Sequence, residues 1–141
     1  MNDQSPCNTF AARGLESIYR VSDFKTATGY FSANAIWDYV NASSDWVSLG
    51  GVFNEDNNLC AQAMANQAAP VIAVRKAPGN GHIALVIPGD PERSGSWNML
   101  AAYSASFLFH HPDQAYVGGP LSKAYTKDDA KTAVFFYRRG H

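Results

Sequence analysis

Pro70-Val71-Ile72-Ala73-Val74-Arg75-Lys76-Ala77-Pro78-Gly79-Asn80-Gly81-His82-Ile83-Ala84-Leu85-Val86-Ile87 holds two short apolar, β-branched runs on either side of a turn. Pro70 to Val74 reads as one strand and His82 to Ile87 as the next, while Lys76 to Gly81 has the composition of a turn. A hairpin is therefore expected here. Upstream the period is helical. A helix is expected from about Asp56 to Gln67, where Ala61, Ala63 and Ala65 leave room for a neighbour. Another runs from Ser32 to about Asn41, capped by Ser32 and burying Ile36, Trp37 and Val40. Trp46 and Leu49 are expected to extend its apolar surface before Gly50-Gly51 breaks the chain. A first helix fits Cys7 to Tyr19, with Phe10, Leu15, Ile18 and Tyr19 on one broad face and Gly14 as a close-packing position. Downstream, Gly89 to Gly95 reads as a surface loop, Trp97 to about Tyr103 as a third strand, and Lys131 to Tyr137 as the last. Helices first and an antiparallel sheet second is an α+β order.

At 141 residues with no repeat, linker or low-complexity block, the chain is expected to form a single domain over 1–141. A hydrophobic share of 46% against 16% charged suits a packed core rather than a disordered chain. The formal net charge of −1 offers no electrostatic reason to expect a nucleic acid or an anionic membrane as partner. No apolar run approaches the roughly 20 residues of a membrane span. Met1 to Pro6 lacks the basic start and apolar stretch of a signal peptide. The expected locations are then the cytosol, export by a route that reads no cleavable signal, or export after a leader has been trimmed.

Two cysteines could form one bridge, Cys7 to Cys60, but a domain of this size does not need it. Cys60 lies in the small-residue helical run Leu59 to Asn66 and reads as a buried, inert thiol. Cys7 differs. It stands in Ser5-Pro6-Cys7-Asn8-Thr9-Phe10, where a helix can begin, and the partial positive charge of a helix N-terminus stabilises a thiolate. His82 opens a later strand, which would hold an imidazole rigidly enough to take and return a proton. The bland readings are a small buried hydrophobe for Cys7 and a turn-ending histidine for His82. Gly81 weighs against the second, because it removes side-chain bulk where a substrate would approach.

Cys7-Asn8-Thr9-Phe10, then Ala65-Asn66-Gln67-Ala68-Ala69-Pro70-Val71-Ile72-Ala73-Val74, then Gly81-His82-Ile83-Ala84-Leu85-Val86 resemble the papain-like NlpC/P60 and CHAP cysteine amidases. Within that group the chain is similar to the small peptidoglycan amidase effectors of bacterial type VI secretion. The resemblance implies an α+β papain-like fold, with N-terminal helices carrying the catalytic Cys7 packed on a small antiparallel sheet carrying His82. It implies a cysteine hydrolase without cofactor, cutting the D-glutamyl–diaminopimelate bond or the diaminopimelate–D-alanine crosslink of a peptidoglycan stem peptide. It further implies delivery without a signal peptide into the periplasm of a rival cell, and a cognate immunity protein that blocks the cleft. A deamidase or protease toxin acting on a protein, a phage-type endolysin, and a non-enzymatic binding domain are the alternatives.

The resemblance calls for a third polar residue, on the strand after the histidine, to orient the imidazole. Asn98 is the leading candidate, with Asp90 as the alternative and Ser94, Ser96 and Ser104 behind them. Papain completes its oxyanion hole with a glutamine shortly before the cysteine. Gln4 is the one glutamine among the six residues before Cys7, and its spacing departs from that pattern. His110-His111-Pro112-Asp113 lacks the further ligands a zinc site requires, so no metal is expected. His141 is terminal. Trp97 and Tyr103 read as core or groove wall, and Arg138-Arg139 as a solvated pair, the alternative being a contact with a stem-peptide carboxylate.

Overall fold

The computed structural model describes Leu15 and residues 21–25, 31–78, 81–106 and 116–139. The helix expected from Cys7 to Tyr19 lies, Leu15 apart, outside the described residues. Helix α1 covers Ala33–Ala42, and Ser32 caps it by accepting a hydrogen bond at Oγ from the Ala35 N–H at 3.1 Å. Ala33, Ile36 and Val40 form its buried stripe. Helix α2 covers Glu55–Asn66, with Asn54 as its cap and Glu55 and Asp56 complementing the dipole of its first turn. Helix α3, Lys127–Ala130, is a single turn capped by Thr126.

Among the described residues eight strands follow the order β1 (Trp46–Gly51), β2 (Val71–Arg75), β3 (His82–Val86), β4 (Glu92–Ser94), β5 (Met99–Ala101), β6 (Tyr103–Ser106), β7 (Tyr116–Pro120) and β8 (Val134–Arg138). Six of them make one antiparallel sheet in the order β1-β8-β2-β3-β6-β7, and β4 pairs with β5 in a separate hairpin. The fold is therefore mixed α+β. Among the described residues no helix is long and apolar enough to cross a membrane.

Several segments differ from the sequence-based expectation: β7 and α3 lie where no element is expected, and the last strand begins at Val134 rather than Lys131. Trp46 and Leu49 do not continue α1; they lie on β1, an edge strand that reaches the sheet only through β8. A bulge between Ser48 and Gly50 leaves Leu49 without a ladder partner while both glycines pair with β8, and Gly50 has φ +95°, a conformation that favours glycine. The expected loop 89–95 carries β4. The single strand expected from Trp97 to Tyr103 is split at Ala102, with β5 in the hairpin and β6 in the main sheet.

Strand alternation divides the core in two. Ile72, Val74, Ile83, Leu85 and Phe136 face α1, where they meet Ile36, Val40, Phe24 and Trp46. Phe24 stacks on Trp46 with centroids 5.1 Å apart. A clasp closes the rim: Asp23 Oδ2 accepts from Trp46 Nε1 at 2.9 Å and from Arg138 Nε at 2.8 Å. Arg138 is thus a half-buried member of β8, not part of a solvated tail; Arg139 is exposed.

Val71, Ala73, Ala84, Val86 and Phe135 face the other way, toward Ala61 and Ala65 of α2, Trp97, Leu121 and Tyr125. Ala63 points to solvent. α2 meets this face largely through polar side chains at helical spacing. Asn58 Nδ2 donates to Val52 O at 2.7 Å, while its Oδ1 accepts from Ala102 N at 3.0 Å. Gln62 accepts from Tyr103 N at 2.7 Å and donates to Ile87 O at 3.0 Å. Asn66 exchanges bonds with Gly89, and Glu55 accepts from Leu100 N at 2.8 Å. These bonds satisfy backbone groups where β3, the β4–β5 hairpin and β6 join, groups that would otherwise be costly to bury.

Candidate active site

His82 is the first residue of β3 and stands opposite Arg75 of β2. The pleat puts its side chain on the face of Ala84 and Val86, the α2 side, where it is half-buried. The turn that leads into it is braced by α1. Asn34 Nδ2 donates to Ala77 O at 2.8 Å and its Oδ1 accepts from Ala77 N at 3.1 Å. A Cβ on Gly81 would collide with Arg75 O and Asn34 Oδ1. The glycine is accounted for by this close packing of turn, strand and helix, so it is no separate sign of substrate approach.

One ring nitrogen of His82 is engaged. Its Nε2 lies 2.9 Å from Ser106 Oγ. The pairs Leu85↔Ala105 and Val86↔Ser104 explain the meeting: they put Ser106 on the face of His82, diagonally across from it. Ser106 is 1% exposed, so the hydroxyl side of the contact is shielded from water. A hydroxyl can give or accept the proton, so either tautomer fits. When Nε2–H donates to Ser106, the lone pair is on Nδ1.

Burial pushes the imidazole down to about 4 from an ordinary value of 6.5. The Asp129 carboxylate pulls the other way without recovering the difference. Asp129 is drawn elsewhere as well, standing 3.6 Å from Arg75 Nη2, and Arg75 Nε donates to Thr132 Oγ1 at 2.8 Å. His82 is accordingly neutral at pH 7, with an uncharged partner on Nε2.

The structure brings Ser106, not Asn98, to this ring. Asn98 sits in the turn between β4 and β5 with φ +56°, and its Oδ1 accepts from Arg93 Nη2 at 2.7 Å. It belongs to the small hairpin rather than to the strand beside β3. Asp90 is exposed in the connection from β3 to β4. Ser94 Oγ accepts from Trp97 N at 3.1 Å and lies 3.3 Å from Ser96 Oγ, while Ser104 Oγ donates to Gly119 O at 3.0 Å.

Cys7, the expected nucleophile, lies outside the described residues, as do Gln4, His110, His111 and His141. Cys60 is exposed on α2 and carries a free thiol, contrary to the reading of a buried one. α2 turns Asn58, Ala61, Gln62 and Ala65 inward, which leaves position 60 on the solvent side. Among the described residues no three metal-ligating side chains converge.

Two residues around His82 escaped the sequence reading. Ser106 had one faint signal, the alternation Ser104-Ala105-Ser106, which acquires meaning only once β6 is known to pair with β3. Tyr125 had none. Its ring meets the imidazole edge-on, centroids 5.3 Å apart. No protein-family model matches this sequence, and no curated protein does.

Proposed function

We propose that the chain is a cysteine hydrolase of amide bonds, with Cys7 as nucleophile, His82 as general base and acid, and Ser106 as the group that orients His82. One observation carries the proposal. His82 is a neutral imidazole held at a strand start with Nε2 on Ser106, and in the tautomer in which Nε2–H donates to that hydroxyl Nδ1 is the basic atom. Holding a base in one tautomer is the usual task of the third member of such a triad. A serine does it without charge, so the resting pair would be thiol and imidazole rather than an ion pair.

The chemistry follows. Nδ1 takes the Cys7 thiol proton as sulfur adds to the amide carbonyl. The developing thiolate raises the imidazole's proton affinity as the transfer proceeds, which offsets the low resting value. The tetrahedral intermediate collapses with breakage of the C–N bond, and His82 gives its proton to the leaving amine. Water then attacks the thioester, again losing a proton to Nδ1. A carboxylate and the thiol result.

The substrate class rests on the resemblance of the Cys7, Ala65–Val74 and Gly81–Val86 segments to the NlpC/P60 and CHAP amidases. It is the peptidoglycan stem peptide, cut at the D-glutamyl–diaminopimelate or diaminopimelate–D-alanine bond. The same resemblance supports a type VI effector acting in a rival's periplasm and restrained by an immunity protein. Digestion of diaminopimelate-type peptidoglycan by wild type and Cys7→Ala, read by mass spectrometry, tests this. New fragments from wild type alone are expected, and their masses name the bond. Fragments from both would remove Cys7 from the mechanism; none from either would turn the search to protein substrates.

A further inference from the structure

Tyr125 is 2% exposed and follows the 3-10 turn Leu121–Lys123. Its hydroxyl lies 2.8 Å from the carbonyl oxygen of Ala73 on β2 and 2.8 Å from that of His82 itself. A hydroxyl has one proton, so both carbonyls share it, and the two strands are tied where the hairpin delivers the histidine. The tyrosine is anchored in turn, because its own carbonyl accepts from Trp97 Nε1 at 3.2 Å. Its ring stands at 73° to the imidazole. A buried tyrosine needs some partner for its hydroxyl, but that need alone does not require the backbone and the ring of one histidine together.

We infer that Tyr125 is a second positioning residue for His82: its hydroxyl fixes the backbone from which the imidazole extends and its ring walls the imidazole. Nε2 thereby stays on Ser106 and Nδ1 keeps a single direction. This rests on the proposal that His82 is the base. Among the described residues the charged groups near the ring are Arg75 on β2 and Asp129 on α3, already turned toward each other. Loss of the hydroxyl would loosen the imidazole's seat and admit water, and relief of desolvation raises its proton affinity.

Tyr125→Phe keeps the buried ring and removes only the hydroxyl. Its imidazole titration, followed by NMR and assigned with His82→Gln, is expected to move up from about 4 toward 6.5. kcat on peptidoglycan fragments is expected to fall about tenfold with KM little changed. Trp97→Phe removes the bond to the Tyr125 carbonyl and loosens the same core without touching the hydroxyl; it should lower Tm but leave the titration in place. Equal shifts in both variants, or none in Tyr125→Phe, would overturn the inference. In the wild-type chain, nuclear Overhauser contacts between the Tyr125 ring and the imidazole are expected, and their absence would overturn it however the variants fold. A chain that leaves peptidoglycan uncut yet shows the shifted titration would sink the peptidoglycan reading and leave the positioning role standing.

Discussion

Behind α1 the sheet buries Phe24, Ile36, Trp46, Ile72 and Phe136 against one another; on the α2 side lie the buried polar residues Asn58, Gln62, Ser94, Ser104 and Ser106. The first face is held by packing, which is strong but has no preferred direction. The second is packed too, around Trp97, Leu121 and Phe135, but is also held at fixed angles by bonds to backbone groups, and His82 and Tyr125 stand on that side. The difference teaches where orientation is controlled. An imidazole that must point one nitrogen at a serine belongs on the face where hydrogen bonds already set geometry.

Breaking the apolar face is expected to give the largest effect. Trp46→Ala removes the ring that stacks on Phe24 and the donor to Asp23, and should cost about 3–5 kcal/mol in denaturant unfolding. Activity per folded molecule should hardly move, since no atom of the candidate site is touched. A drop in kcat beyond the folded fraction would show that the two faces are coupled.

Asn58→Leu sharpens the contrast, because an apolar side chain of similar size would suit the other face. Here it removes the acceptor of Ala102 N and one of the two donors to Val52 O, which keeps the Asn54 N–H, and should cost about 2 kcal/mol. An unchanged midpoint would mean that water replaces the amide and that the polar stitching is dispensable.

The pH dependence comes next. Between about 4 and 6.5 the unfolded imidazole holds a proton that the folded one does not. Folding stability contributed by this site is therefore complete above pH 6.5, falls as pH drops through the window, and levels off below about 4. The loss is on the order of 2–3 kcal/mol, measurable as a falling Tm between pH 7 and 4. His82→Gln should flatten that slope; a slope of equal size in the variant would assign it to carboxylates instead.

Ser106→Ala and Asn98→Gly give the smallest changes in stability and the clearest contrast in activity. Ser106→Ala leaves Nε2 without its partner and should lower kcat about tenfold or more, for about 1 kcal/mol of stability. Asn98→Gly suits the φ of +56° and should leave both Tm and kcat near wild type. The reverse result would return Asn98 to the site.

Much of this frame was legible in the sequence where one period ran long enough. The caps and apolar spacing of α1, the run of α2, and the β2–β3 hairpin with His82 at its second strand's start all fall within a residue or two of expectation. β1 was hidden because six residues with two glycines carry too little alternation, and β7, Tyr-Val-Gly-Gly-Pro, for the same reason. Arg138 looked like a tail residue because its partner Asp23 is 115 positions away. The Ser106 contact with His82 was missed because Asn98, expected on a strand, lies in the β4–β5 turn, and pairing across 24 positions leaves no local mark. Fold class was periodicity; the site's geometry was register.

β8 comes last among the described strands yet lies between β1 and β2. While the chain emerges from the ribosome, β1 and β2 are made early and have no strand to join them. The partner of both is Val134–Arg138, so the sheet stays in two pieces until that segment has been made. The clasp from Arg138 to Asp23 closes only then. A premature stop before residue 134 would release a polypeptide with exposed sheet edges and no assembled centre, destined for proteolysis rather than for partial function.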